Sequence, residues 1–171
     1  LWGEAYDYDP NNRVSWLPPP PGSPTISSVQ TSSITVTYGL ATGANSYVVD
    51  ASTASNFTGT LYSSSTLSTS LTVLSLEGLN LGMVYYLRAG ALWGETTSYA
   101  YTVPASTVTL TLGQPGTPSG TALGVSSISW TWAAAANVSS YKVYQASSPT
   151  ILIVGTATAP FLHVELATNT A

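Results

Sequence analysis

The sequence lacks cysteine and carries very little charge. With no cysteine, a disulfide framework and any thiolate metal site are excluded, although bacterial surface proteins often omit cysteine and the compartment stays open. Charged residues make up 6% of the 171 residues, against about 25% in typical soluble domains. A surface with so few charges gives weak colloidal repulsion, which suits a protein that assembles rather than diffuses freely.

Basic residues and long apolar runs are also scarce. The only Lys and Arg residues are Arg13, Arg88 and Lys142, so no basic face can neutralise the phosphates of a nucleic acid. The net charge of -4 argues against binding to anionic membranes. No apolar run is long enough for a membrane-spanning helix, and the N-terminus lacks the pattern of a signal peptide. We expect no nucleic-acid partner and no membrane insertion.

Residues for catalysis are missing as well. His163 is the only histidine, so a His-based metal site or dyad is excluded, and its place between Leu162 and Val164 predicts an exposed strand residue. No serine lies in a Gly-x-Ser-x-Gly elbow, and no glycine-rich phosphate loop precedes a helix. The sequence predicts no catalytic residue, no cofactor and no enzyme activity.

One acidic cluster has a spacing that resembles part of a calcium loop. Asp7, Asp9 and Asn11 alternate, but the glycine and distal glutamate that complete such a loop are absent and Pro10 stiffens the turn. We interpret the cluster as a solvated loop and predict no metal site.

Short alternating segments of β-branched and aromatic residues dominate the chain. Ile34, Val36 and Tyr38 alternate with polar residues, as expected of a strand with one buried face. The other such segments contain Tyr47 and Val49, Leu71 and Val73, Val84–Arg88, and Val108, Leu110 and Leu112. No segment keeps a helical period over three turns, so the fold class is all-β.

An internal repeat organises these segments. Ser126-Ser127-Ile128 lies 94 residues after Ser32-Ser33-Ile34, and the same spacing relates four further apolar pairs. These pairs are Val36 and Trp130, Tyr38 and Trp132, Tyr47 and Tyr141, and Val49 and Val143. The tetrapeptide Leu1-Trp2-Gly3-Glu4 recurs 91 residues later as Leu92-Trp93-Gly94-Glu95. Because one spacing relates the residues of two strands and of the loop between them, the sequence predicts two copies of one domain.

The repeated residues resemble fibronectin type III domains, as in bacterial or archaeal surface and filament proteins. The resemblance rests on an inward aromatic (Tyr38; Trp130 or Trp132), a Tyr-x-Val strand and a Leu-x-x-Gly-x-x-Tyr corner at Leu79, Gly82 and Tyr85. It implies two immunoglobulin-like β-sandwiches in tandem. It also implies that the Tyr85 hydroxyl hydrogen-bonds to the chain upstream and locks a strand crossing.

The repeat predicts domain boundaries and a missing strand. We expect a complete domain at 24–112, proline-rich linkers at 18–23 and 113–117, and the first strands of a second domain at 118–171. Residues 1–17 are predicted to be the last loop and last strand of such a domain. The second corner begins at Leu166, and its tyrosine-led strand F is predicted to be absent from the chain.

This organisation predicts a structural subunit of an extracellular filament or surface array. Its partner is the protein itself, because strands of a neighbouring chain or repeat complete its sandwich. The predicted donor residues are Leu1, Trp2, Val14, Trp16 and Leu17. The predicted acceptor residues are Ile128, Trp130, Trp132, Tyr141, Val143, Leu162, Val164 and Leu166. Alternatives are spacer modules of a larger adhesin or polysaccharide-degrading enzyme, and a carbohydrate-binding module that uses Trp2 and Trp93.

Two triplets match the pattern of N-glycosylation acceptors. They begin at Asn56 and Asn137, and glycans are therefore a possible further partner. Such triplets also arise by chance in a chain rich in Ser and Thr, so the pattern alone leaves both interpretations open.

Overall fold

The computed structural model describes residues 6–8, 14–145, 148–157 and 160–164, with side chains at 17–144 and 160–164. The chain divides into two compact units, Leu1–Leu110 and Thr111–Ala171. The described residues form β-strands and no α-helix, and hence no helix in this part of the chain could cross a membrane.

The first unit contains a β-sandwich of two antiparallel sheets. Its strands are β1 (Tyr6–Tyr8), β2 (Val14–Trp16), β3 (Gly22–Val29), β4 (Ile34–Gly39), β5 (Ser46–Ser52), β6 (Leu61–Thr66), β7 (Val73–Leu76), β8 (Val84–Trp93) and β9 (Thr96–Val108). One sheet has the order β3-β4-β7 and the other the order β6-β5-β8-β9. This three-plus-four arrangement is that of an immunoglobulin-like sandwich of the fibronectin type III kind.

The core lies between these two sheets. Alternate residues of each strand face it, since successive side chains of a strand point to opposite sides of the sheet. Its most buried members are Ile34, Val36, Tyr47, Val49, Leu76, Tyr85, Leu87, Ala89 and Ala91. The predicted alternation around Ile34 and around Tyr47 therefore corresponds to the inner faces of β4 and β5.

The end of the first unit differs from the predicted pattern. Val108 is exposed, as is Leu112 at the start of the second unit, and the threonines Thr102 and Thr109 are buried instead. The Thr109 hydroxyl donates to the Asn80 carbonyl and accepts a hydrogen bond from the Met83 N–H at 3.0 Å. A hydroxyl with both partners satisfied can be buried at little cost, which explains the reversed phase.

The proline-rich segment predicted as a linker at 18–23 packs on the first unit. Pro21 is buried and Gly22 begins β3. The Pro19 carbonyl accepts a hydrogen bond from Trp93 Nε1 at 3.3 Å, and the Pro18 carbonyl accepts one from the Ser98 hydroxyl. Polyproline leaves its carbonyls free to accept such bonds, and so this segment is docked rather than a free spacer.

The segment before β3 forms a hairpin rather than the single strand predicted for residues 1–17. β1 pairs antiparallel with β2, with Tyr6 opposite Trp16 and Tyr8 opposite Val14.

The second unit contains two smaller antiparallel sheets in its described part. Its strands are β10 (Ser119–Gly124), β11 (Ser127–Thr131), β12 (Tyr141–Gln145), β13 (Ser148–Ala157) and β14 (Phe161–His163). One sheet has the order β10-β11-β14, and the other consists of β12 and β13.

The same local hydrogen bonds occur within each unit, at positions 94 residues apart. The Tyr47 hydroxyl accepts from the Ala41 N–H at 2.8 Å, and the Tyr141 hydroxyl accepts from the Ala135 N–H at 2.7 Å. The predicted linker at 113–117 takes part in this repeat, since the Gly116 N–H donates to the Ala133 carbonyl at 3.0 Å. The same spacing aligns this pair with Gly22 and Gly39, which lie opposite each other in β3 and β4.

Candidate functional site

Five predicted acceptor residues lie on β11, β12 and the turn between them, and we call them the acceptor face. They are Ile128, Trp130, Trp132, Tyr141 and Val143, and all are half-buried. Their counterparts in the first unit are Ile34, Val36, Tyr38, Tyr47 and Val49, which are between 0% and 4% exposed. The same positions are thus covered in one unit and accessible in the other.

The strand β12 has an open edge among the described residues. In the first unit the equivalent strand β5 lies between β6 and β8. In the described part of the second unit, β12 pairs with β13 alone. Unpaired N–H and C=O groups along such an edge are a template for another strand.

The aromatic residues of the acceptor face contact each other at a distance close to that of their counterparts in the first unit. Trp132 and Tyr141 lie edge to face with their ring centroids 5.4 Å apart, and Tyr38 and Tyr47 lie 5.1 Å apart. Trp132 Nε1 and the Tyr38 hydroxyl are each buried and have no hydrogen-bond partner among the described residues. Burial, with a smaller contribution from Tyr47, raises the pKa of Tyr38 to about 12.

The structure corrects the predicted orientation of β14. His163 lies opposite Ile128, and Phe161 lies opposite Trp130, so both share the face of β11 that carries acceptor residues. His163 is half-buried and stacks on Phe161 with a centroid distance of 6.3 Å. It is therefore not the exposed strand residue that was predicted.

One predicted acceptor residue, Leu162, consequently lies on the other side of this sheet, and another, Val164, follows β14 and is also exposed. Leu162 and Val164 are 52% and 51% exposed, and Leu162 pairs with Ser129 rather than with an inward residue of β11. In the first unit, Leu74 and Leu76 hold the positions opposite Val36 and Ile34. Leu166 lies outside the described residues.

The residues of the predicted tyrosine corner meet in the first unit. Leu79 and Tyr85 are buried, and Gly82 has a φ of 61°, a left-handed conformation that favours glycine. The Tyr85 hydroxyl accepts a hydrogen bond from the Asn80 N–H at 3.0 Å. This bond ties the start of β8 to the crossing chain before it.

The predicted donor segment is described in part. Leu1 and Trp2 lie outside the described residues, whereas Val14 and Trp16 belong to β2 and Leu17 is 50% exposed. Trp93 packs against the core of the first unit, and its indole also donates to Pro19. The Trp93 ring is half-buried in this position.

Sequence reasoning missed an ion pair on the outer face of the first unit. The Asp50 carboxylate, 3% exposed, pairs with the Arg88 guanidinium at 2.9 Å and accepts from the Ser63 hydroxyl at 2.6 Å. The guanidinium lies between two rings, 4.1 Å from Phe57 and 3.7 Å from Tyr99. Opposite charges inside two adjacent apolar strands, in a chain with so few charges, were the available signal.

This cluster also perturbs a phenol. Burial and the nearby Asp50 carboxylate raise the pKa of Tyr99, while the Arg88 guanidinium acts in the opposite direction. Because every charge is paired, we interpret the cluster as a brace across β5, β8 and β9.

The described residues hold no group of three or more His, Cys, Asp or Glu side chains that could bind a metal ion. Of the acidic cluster considered above, Asp9 and Asn11 lie outside the described residues.

No protein-family model and no curated protein matches the chain. Among solved structures, it is similar to the fn3 domain of the human collagen alpha-1(XX) chain, with 24% identity over 62% of this chain and 91% of that chain and a TM-score of 0.41. A segment of two fibronectin type III domains from chicken tenascin is 17% identical over 88% of this chain and 85% of that one, with a TM-score of 0.47. A central fibronectin-III array of RIM-binding protein is 15% identical over 89% and 59%, with a TM-score of 0.40.

Proposed function

We propose that the chain is a structural module of an extracellular polymer of β-sandwiches, in which a strand from a neighbouring chain or repeat completes the second unit. One observation carries this proposal: the acceptor face is half-buried, whereas its counterpart in the first unit is between 0% and 4% exposed, in a core that β8 helps to form. The protein is then its own partner, and its role is mechanical rather than catalytic.

The driving force for completion is burial of the acceptor face. Covering apolar surface stabilises by about 25 cal/mol per Å², and two tryptophans and a tyrosine offer large areas. An incoming strand also pairs the backbone groups along the open edge of β12. The low surface charge of the chain opposes such contacts only weakly.

The first unit indicates what the incoming strand looks like. In the β5–β8 pair, Ala91 lies opposite Tyr47 and Ala89 lies opposite Val49. By the repeat, the residues opposite Tyr141 and Val143 have to be small. A strand with the pattern of β8 therefore fits the open edge, and the 1–17 segment is proposed to supply the strand that corresponds to β9.

The test measures self-association of the purified chain by size-exclusion chromatography with light scattering over a range of concentrations. We expect reversible oligomers, which Val143→Asp abolishes by placing a charge on the acceptor face. Tyr144→Asp is the matched control, because Tyr144 lies on the same strand and is 44% exposed. Deletion of residues 1–17 is expected to weaken association. A monomer at every concentration, or association unaffected by Val143→Asp, contradicts strand completion.

A second candidate is a spacer module of a larger adhesin or polysaccharide-degrading enzyme. The docked proline segment favours it, since its bonds to Trp93 and Ser98 fix the path of the chain entering the first unit. A spacer is expected to be a stable monomer in which both units melt cooperatively, and the same light-scattering experiment separates the two functions.

A further inference from the structure

The two N-glycosylation triplets differ in their geometry, and the difference bears on covalent modification rather than on assembly. Asn56 lies in the connection between β5 and β6 and is exposed. Its side-chain Oδ1 accepts hydrogen bonds from the Thr58 hydroxyl at 2.7 Å and from the Thr58 N–H at 3.2 Å. Both bonds engage the oxygen of the amide, so Nδ2, at its other end, is turned away from Thr58.

The loop that carries Asn56 is held in place by its neighbours. The Phe57 N–H donates to the Ala54 carbonyl at 3.0 Å, and the Phe57 ring covers the Arg88 guanidinium. The same ring lies 5.9 Å from the ring of Tyr101. Phe57 thus anchors the loop on the sheet and leaves Asn56 at its surface.

Asn137 is committed to the fold of its own unit. It has a φ of 59° and stands 94 residues after Gly43, which has a φ of 93°. Asparagine is one of the few residues other than glycine that tolerate this conformation. Its Nδ2 donates to the Thr111 carbonyl at 2.8 Å, so one of the two N–H groups of this amide is engaged and holds the side chain against its own unit.

We propose that Asn56 is an acceptor for an N-linked glycan in the folded protein and that Asn137 is not. In the reaction, Asn56 Nδ2 forms a bond to C1 of the sugar on a polyprenyl-diphosphate oligosaccharide. The bond from C1 to the diphosphate oxygen breaks, the diphosphate leaves with the electron pair, and an Nδ2 proton passes to a base of the oligosaccharyltransferase. The hydrogen bond from the Thr58 hydroxyl orients the amide for this attack.

The test uses the folded full chain, an oligosaccharyltransferase and a polyprenyl-diphosphate oligosaccharide, followed by intact-mass and glycopeptide mass spectrometry. We expect one glycan at Asn56 and about two- to tenfold lower occupancy at Asn137, the range that corresponds to breaking one hydrogen bond. In urea-unfolded chain, where the Thr111 bond is lost, the two occupancies are expected to converge. Equal occupancy in the folded chain, or none at Asn56, overturns the proposal.

Matched variants separate modification from folding. Asn56→Asp keeps the oxygen that accepts from Thr58 but has no Nδ2, and we expect a folded chain without a glycan. Thr58→Ala removes the hydroxyl and is expected to lower occupancy, whereas Thr58→Ser restores it. Asn137→Gly suits the left-handed conformation and is expected to leave the glycan at Asn56 unchanged. If the Asn56→Asp variant still carries a glycan, the modification lies at another residue and the proposal is contradicted.

Discussion

The two units place the same residues in different surroundings. Tyr47 and Tyr141 each accept a hydrogen bond from the alanine N–H six residues earlier. Yet Tyr47 is 1% exposed, whereas Tyr141 is half-buried. Local geometry in this chain therefore follows from local sequence, and burial follows from the strands that a unit has available to cover its core.

The strand β8 helps to close the core of the first unit. β8 contributes Tyr85, Leu87, Ala89 and Ala91 to the core, all 0% exposed. In the described part of the second unit no strand occupies the equivalent place beside β12. The comparison predicts that equal substitutions cost more in the first unit than in the second, and the predictions below test this from the largest effect to the smallest.

Removal of the paired tyrosines is expected to give the largest contrast. Tyr47→Ala leaves a cavity in a closed core and is expected to lower the free energy of unfolding of the first unit by about 3–5 kcal/mol. Tyr141→Ala is expected to cost the second unit less than half of that, because its side chain is partly in water. Denaturant titration with hydrogen exchange followed separately in each unit measures both, and equal losses contradict the comparison.

Breaking the ion pair of the first unit is expected to give the next largest loss in the free energy of unfolding. Arg88→Met leaves the Asp50 carboxylate buried without its partner and is expected to cost about 2–4 kcal/mol. Lys142→Met on the second unit is the control and is expected to stay within about 0.5 kcal/mol. Combining Arg88→Met with Asp50→Asn is expected to recover part of the loss. A single Arg88→Met variant as stable as the parent shows that the brace contributes nothing.

Alkaline pH is expected to destabilise the first unit through Tyr38. Because burial raises its pKa to about 12 in the folded state, the unfolded chain ionises first. The contribution of the protonated Tyr38 phenol to the free energy of unfolding is complete below pH 10, and it falls by up to about 2.5 kcal/mol as the pH rises towards 12. In Tyr38→Phe this loss is expected to disappear, while stability at neutral pH is unchanged or slightly higher because an unpartnered hydroxyl is removed. Parallel pH profiles for parent and variant would show that Tyr38 is not responsible.

The paired turn residues give the smallest contrast. Gly43→Ala is expected to cost about 1–2 kcal/mol, since alanine disfavours the left-handed conformation and its Cβ meets the Trp93 ring at 3.1 Å. Asn137→Gly is expected to change stability by less than about 0.5 kcal/mol. Thermal unfolding of both variants measures the difference, and a larger loss for Asn137→Gly would reverse the expected order.

The sequence predicted the inner faces of β4 and β5 because the core-facing apolar residues of these strands recur with a simple period of two. It also related Tyr47 to Tyr141 through the repeat. It did not predict that Thr102 and Thr109 are buried, because their burial depends on carbonyls that the folded backbone brings to their hydroxyls, from Pro104 and Leu87 for Thr102 and from Asn80 for Thr109. Composition marks threonine as polar and gives no sign of such partners.

The candidate site shows the same limit. The acceptor residues of β11 and β12 could be named from the repeat, but the phase of β14 depends on its register with β11, which places His163 inward. The brace between Asp50 and Arg88 required the register of β5 with β8. Pairing between strands far apart in sequence, rather than any local pattern, decided these features.

The most direct measurement is addition of a peptide with the sequence of residues 83–93, which includes β8, to the full chain. Hydrogen exchange is followed at β5 and β12, with a scrambled peptide as the control. Strand completion predicts that the β12 amides exchange faster than those of β5 in the free chain and become protected in a saturable way when the peptide is added. If β12 is already as protected as β5, or if the peptide leaves its exchange unchanged, the second unit does not accept a strand and the account is wrong.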